Sequence, residues 1–170
     1  MIEPRDAGYL SGIQAPLKQR YREAPEQALI TLRARARAGE GISCKVETGQ
    51  AIVEAGLHPA TGGSGELACS GDMLLQALVA CAGVTLCAVA TAIDVPLRDA
   101  HVEAEGDLDF RGTLAVDKGT PVGFSEIRLR FVLDTDASAE QRATLIRLTE
   151  RYCVVLQTLR QSPSIAVTAA

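Results

Sequence analysis

Among the residue types able to do covalent chemistry in this chain, the cysteines are the ones whose placement asks for an explanation. There are five, Cys44, Cys69, Cys81, Cys87 and Cys153. The number is odd and no C-x-x-C occurs, which fits neither a secreted disulfide framework nor a zinc-finger pattern. Free thiols in a reducing compartment are expected. Thiol redox chemistry needs a thiolate nucleophile and, to close a disulfide, a second sulfur within bonding geometry. Cys81 lies mid-way along an apolar stretch, Gln76-Ala77-Leu78-Val79-Ala80-Cys81-Ala82-Gly83-Val84-Thr85. Cys87 cannot serve it on the same helix, because six residues carry the chain about 240° around and roughly 9 Å along the axis. A partner for Cys81 must come from another element.

The other candidates have plainer readings. Cys44 and Cys87 read as core side chains, and Cys69 as a loop residue beside a helix start. His58 begins a loop and His101 falls on the polar face of a strand, so surface or hydrogen-bonding roles fit them better than a zinc site. Arg33, Arg35 and Arg37 alternate along one strand face, as solvated side chains do. Gly62-Gly63-Ser64-Gly65 lacks the Gly-Lys-Ser/Thr ending of a phosphate loop and the spacing of a dinucleotide fingerprint. We read no cofactor and no metal from these residues.

The elements that must position the thiols follow from periodicity. Residues 1–25, with Pro4, Pro16 and Pro25 around a charged stretch, read as an N-terminal arm, and 26–170 as one domain. From Leu29 the apolar residues alternate, first Ile30, Leu32, Ala34 and Ala36, then Ile42, Cys44 and Val46, then Ala51, Val53, Ala55 and Leu57. Short Gly-containing turns join them into an antiparallel meander. Ser70 is a plausible N-cap for a long helix that carries no charge from Met73 to Ile93, which demands enclosure on nearly all sides by sheet, helix or a second subunit. Period two returns over 97–110 and 127–133. Ser138-Ala139-Glu140-Gln141 matches a capping box opening a second long helix to about Arg160, and Ile165, Val167 and Ala169 can form a closing strand. The expected class is α+β, an antiparallel sheet with two long helices, one of them buried.

Bulk properties exclude several partners. The chain has 170 residues, 47% apolar and 4% aromatic, with a formal charge of −4 and a pI near 5.2. It has no Lys/Arg-rich run, which argues against nucleic-acid and anionic-membrane surfaces. The first residues lack the pattern of a signal peptide, and the expectation is a soluble, cytoplasmic protein.

Two motifs, on the two long helices, carry a family resemblance. Leu74-Leu75-Gln76-Ala77-Leu78 precedes Cys81, and Glu150-Arg151-Tyr152-Cys153 carries the second cysteine. In this order of strands and helices the chain resembles the OsmC/Ohr family over residues 30–169. That resemblance implies an intertwined homodimer whose central helices are buried and whose two thiols face each other. It implies a thiol-dependent peroxidase taking small apolar hydroperoxides, with Cys81 as the peroxidatic and Cys153 as the resolving residue, regenerated by a dithiol reductant. The thiolate also has to be stabilised. Cys81 lies about eleven residues, roughly 16 Å, past the N-cap, where the helix dipole has faded, and burial would raise its pKa. In peroxidase members of the family an arginine near the first strand, fixed by a loop glutamate, fills this need, and Arg37 is the candidate here. The corresponding loop, His58-Pro59-Ala60-Thr61-Gly62-Gly63, carries no glutamate. The alternative is accordingly a non-enzymatic dimer of the same fold that binds a small apolar ligand with its thiols not activated.

Overall fold

The computed structural model describes residues 52–169 throughout, the backbone of 35–38 and 43–47, and six isolated helical positions, 8, 12, 14, 15, 19 and 23. The expected N-terminal arm and the start of the first strand lie mostly outside the described residues. Two compact units emerge, one formed by 25–76 with 104–129 and the other by 1–24, 77–103 and 130–170.

The first unit holds the meander. Strands β1 (Arg35–Ala38), β2 (Ser43–Glu47) and β3 (Ile52–Gly56) pair antiparallel, with Ala36 opposite Val46 and Cys44 opposite Ala55. The sequence did not announce β4 (Ala68–Cys69), which adds parallel to β3 through Ala55–Ala68 and Gly56–Cys69. A parallel return requires a long connection. The connection opens with a 3-10 turn at Pro59–Thr61, capped by His58, whose Nδ1 accepts the Ala60 N–H at 3.1 Å, and closed by Gly62 at φ 93°. The His58 ring stacks on Phe110 at 4.9 Å. This histidine therefore has a capping and packing role, as its loop position suggests.

Helix α1 (Ser70–Ala92) follows, then β5 (Asp99–Leu108), a one-turn helix α2 (Phe110–Thr113) and β6 (Phe124–Asp134). Strands β5 and β6 form a two-stranded sheet. Their alternation is as clean as the sequence implies, with Ala100, Val102 and Ala104 turned inward while Asp99, His101, Glu103 and Glu105 face out. In the first unit Arg128 bridges Asp107, Glu105 and Glu126, and in the second Arg130 meets Glu103 at 3.2 Å. These pairs are exposed and add little stability. His101 Nε2 lies 3.5 Å from Glu103 on the same polar face. Gly106 is the one inward position of β5 without a side chain because a Cβ there would sit 2.6 Å from the Phe124 ring.

The second unit contains the main core. Leu86, Val89 and Ala90 of α1 pack with Val95, Ala137 and Leu145, and Val102, Phe131, Leu133 and Leu148 close around them. Helix α3 (Ala139–Tyr152) starts with the expected capping box. Gln141 N–H donates to Ser138 Oγ at 3.2 Å, and Ser138 N–H donates to Gln141 Oε1 at 2.9 Å.

Three expectations are corrected. The second long helix does not run unbroken to Arg160. It stops at Tyr152 and resumes as α4 (Val154–Arg160), with Cys153 between in extended backbone, φ −72° and ψ 106°. No strand forms beyond α4, where residues 162–169 lie exposed without regular structure. Cys87 is exposed, not core. Its position follows from the helix. The inward row is Leu78, Ala82, Leu86, Val89 and Ala90, and one residue past Leu86 the helix has turned by about 100°. Ala77, Ala80, Val84 and Cys87 share the outward stripe, with Val84 74% exposed. The uncharged helix is thus buried on one side only within a single chain. With a mean hydropathy of 2.2 it is long and apolar enough to cross a membrane, yet its inner row belongs to the globular core.

Leu145 is fully buried at the centre of that core. Leu145→Ala is expected to cost about 2–5 kcal/mol, read as a lower midpoint in urea or thermal unfolding at an unchanged urea m-value.

Candidate functional site

Cys81 sits half-buried on α1, and Cys153 is fully buried at the joint between α3 and α4. Both belong to the same compact unit, and each thiol shifts the acidity of the other. The two residues that the sequence places on separate long helices are therefore brought together. Both are free thiols, as are Cys69 and Cys87.

The joint explains how the two are linked. Helix α3 ends with Cys153 N–H donating to Thr149 O at 2.9 Å, and α4 begins with Gln157 N–H donating to Cys153 O at 3.0 Å. In an unbroken helix the N–H groups of Val154, Val155 and Leu156 would bond to the carbonyls of Glu150, Arg151 and Tyr152. At the break they turn to the sulfurs instead. Val155 and Val154 face Cys81, and Leu156 faces Cys153.

The two thiols consequently differ. Burial pushes the Cys81 thiol up, but the Val155 N–H, the Cys153 thiol and the Val154 N–H oppose it and together bring Cys81 below the ordinary thiol value. Thr85 also lies at this sulfur. Its single hydroxyl proton is already donated to Cys81 O at 2.7 Å, so its share in holding a thiolate is the smallest. Cys153 moves the opposite way. Burial raises it, the Leu156 N–H lowers it in part, and the adjacent negative sulfur of Cys81 raises it again. Cys81 is therefore the first of the two to lose its proton, and the pair titrates as a unit. The sequence demanded a cation at Cys81. Among the described residues it is backbone N–H groups that do this work. Arg37 falls on β1, and its side chain lies outside the described residues.

Beside Thr85 and Tyr152 an open hollow of about 490 Å³ is lined by Gln14, Val84, Thr85, Ala88, Val89 and Ala92. Its wall is mostly small and apolar. Thr85, one turn beyond Cys81, and Tyr152, which precedes Cys153, both line it, while neither cysteine does. Sequence reasoning missed Thr85, Val154, Val155 and Gln157. Thr85 and Gln157 were findable as the i+4 neighbours of Cys81 and Cys153. The break itself carries no signal, since no proline or glycine lies between 148 and 161.

The two cysteines thus stand on an apolar helix and at the break of an amphipathic one, in an α+β fold. The OsmC-like protein family model matches residues 63–168, well over half of the chain, and the chain belongs to that family. Solved structures agree at the level of fold. An OsmC-like protein from Mycoplasma pneumoniae superposes with a TM-score of 0.67 at 17% identity, covering 78% of this chain and 89% of that one. An organic hydroperoxide resistance protein from Elizabethkingia anophelis gives 0.62 at 20% identity, with 79% and 91% covered. One from Legionella pneumophila, named OsmC, gives 0.61 at 19%, with 78% and 91% covered. A sequence comparison with curated proteins finds no match.

The opposite shifts give a direct expectation for pH dependence. For an acid with a lowered pKa the thiolate persists to lower pH, so alkylation of Cys81 by iodoacetamide should reach its midpoint below 9.0, and that of Cys153 above it. Replacing Cys153 by Ala removes one of the groups that lower Cys81 and should raise the Cys81 midpoint. Coincident midpoints for the two thiols in the wild-type protein would contradict the opposite shifts.

Proposed function

We propose that this chain is a thiol-dependent peroxidase that reduces organic hydroperoxides through Cys81 and Cys153. The observation that carries the reading is the placing of Cys81 and Cys153 in one compact unit as free thiols, Cys81 the more readily deprotonated of the two and Cys153 the less. The Cys81 thiolate attacks the outer oxygen of ROOH. The O–O bond breaks, the sulfur takes up OH as a sulfenic acid, and RO⁻ leaves and is protonated to ROH. Cys153 then attacks the Cys81 sulfur, the S–S bond forms, and water leaves with the Cys153 proton. A dithiol reductant returns the disulfide to two thiols. Arg37 keeps in this reading the place the resemblance gives it, a cation that would add to the Val154 and Val155 N–H groups.

The hollow beside Thr85, with its apolar lining, suits the organic substituent of a small apolar hydroperoxide. The family assignment supports the same chemistry, since two of the fold's solved relatives bear the name organic hydroperoxide resistance protein. We further propose that the chain works as a homodimer in the cytoplasm. The outward stripe Ala77, Ala80, Val84 and Cys87 on α1 and the exposed Tyr152 and Val154 call for cover, and small side chains permit close approach of a second helix.

Reduced protein treated with tert-butyl hydroperoxide should consume it and form a Cys81–Cys153 disulfide seen by peptide mass spectrometry. Cys81→Ser should abolish turnover, and Cys153→Ser should trap sulfenic acid at Cys81. Equal, slow consumption by wild type and Cys81→Ser would end the proposal in favour of a non-enzymatic ligand-binding dimer. Light scattering is expected to return twice the chain mass of 17.9 kDa, and a monomer would remove the assembly from the reading.

A further inference from the structure

Helix breaks have identifiable causes, and the usual ones, proline and glycine, are missing from 149–160. Another known cause is a side chain inserted into the i→i−4 ladder, and the structure contains one. Gln157 Nε2 donates to the Glu150 carbonyl at 2.7 Å, across seven residues. That carbonyl is the acceptor Val154 N–H would occupy in a continuous helix. Gln157 is half-buried, so an unmet carbonyl or amide at this place would be costly. A second strap spans the same joint, since Arg160 Nη2 meets the Glu150 carboxylate at 2.9 Å. Glu150 is thus held twice from α4, once by its backbone and once by its side chain.

We infer that Gln157 is a positioning residue: by taking the Glu150 carbonyl it keeps α3 and α4 apart at Cys153 and frees the Val154 and Val155 N–H groups to face Cys81. It touches neither sulfur and acts through the backbone. The inference rests on the proposed dithiol site, but it concerns how the site is built and not what it reduces. Without the amide, the Val154 N–H can return to the Glu150 carbonyl, the helix can heal toward continuity, and the donors turn away from Cys81. The Arg160 strap cannot replace the amide, because it binds the carboxylate and leaves the carbonyl open to the returning N–H.

The test compares Gln157→Met, which keeps the length of the side chain without a donor, with Gln157→Lys, whose ammonium can still donate to the carbonyl. Alkylation of Cys81 is followed against pH by site-resolved mass spectrometry, with no peroxide present and with an added thiol peptide as reference. The midpoint should rise by about half a unit or more in Gln157→Met, roughly a threefold slower reaction at neutral pH, and return toward wild type in Gln157→Lys. Gln157→Ala serves the same purpose should the methionine variant fail to fold. A folded donor-less variant with an unchanged Cys81 midpoint overturns the inference. The readout needs no peroxide turnover, so failure of the peroxidase reading and failure of this one are told apart.

Discussion

The site depends on which groups face the Cys81 sulfur. A thiolate in an apolar setting is unfavourable unless donors face it, and Cys81 lies well down an uncharged helix that offers none from its own backbone. The donors come from a second helix that has been interrupted. Interruption frees N–H groups that helices otherwise consume internally, and placing Cys153 at the interruption puts a thiol proton in the same cluster. The core packing of Leu86, Val89 and Leu145 keeps α1 and α3 in contact and so keeps this cluster in register. Stabilisation of the nucleophile and delivery of the second sulfur are consequently one structural device.

How much of this is legible in the sequence depends on the kind of signal. Alternation in 99–108 and 124–134 produces strands where expected, because a half-buried strand obliges every second side chain to be apolar. The capping box at Ser138 is read correctly for a similar reason, as its four residues are all local. The family is legible because the helical settings of its two cysteines are distinctive. The break at Cys153 is not. Glu150-Arg151-Tyr152-Cys153-Val154-Val155 has acceptable helix formers and no breaker, so propensity argues for continuity. What overrides it is an amide seven residues from the carbonyl it binds, and spacing rules do not anticipate that contact. The Ile165–Ala169 alternation fails for the converse reason, since a strand needs a partner edge and 162–169 find none.

The uncharged α1 explains why composition alone misplaces Cys87. A helix apolar all round has no preferred face in the sequence, and the choice is made by what packs on it. Within one chain that is the row from Leu78 to Ala90. The remaining stripe stays open, and the hollow beginning at Thr85 lies along the same helix. Whatever covers α1 also forms a wall of the space one turn beyond the thiol, which ties the surroundings of Cys81 to the state of that surface.

The break at Cys153 has a mechanical side as well. Three backbone hydrogen bonds that would stiffen a continuous helix, each worth about 1 kcal/mol, are redirected to sulfur acceptors, which bind an N–H less firmly. Two straps from α4, Gln157 to the Glu150 carbonyl and Arg160 to its carboxylate, hold the joint in their place. Cys153 is fully buried there while Cys81 is only half-buried. A reagent arriving from water therefore meets the Cys81 sulfur first, and the order in which the two thiols react is set by access as well as by acidity.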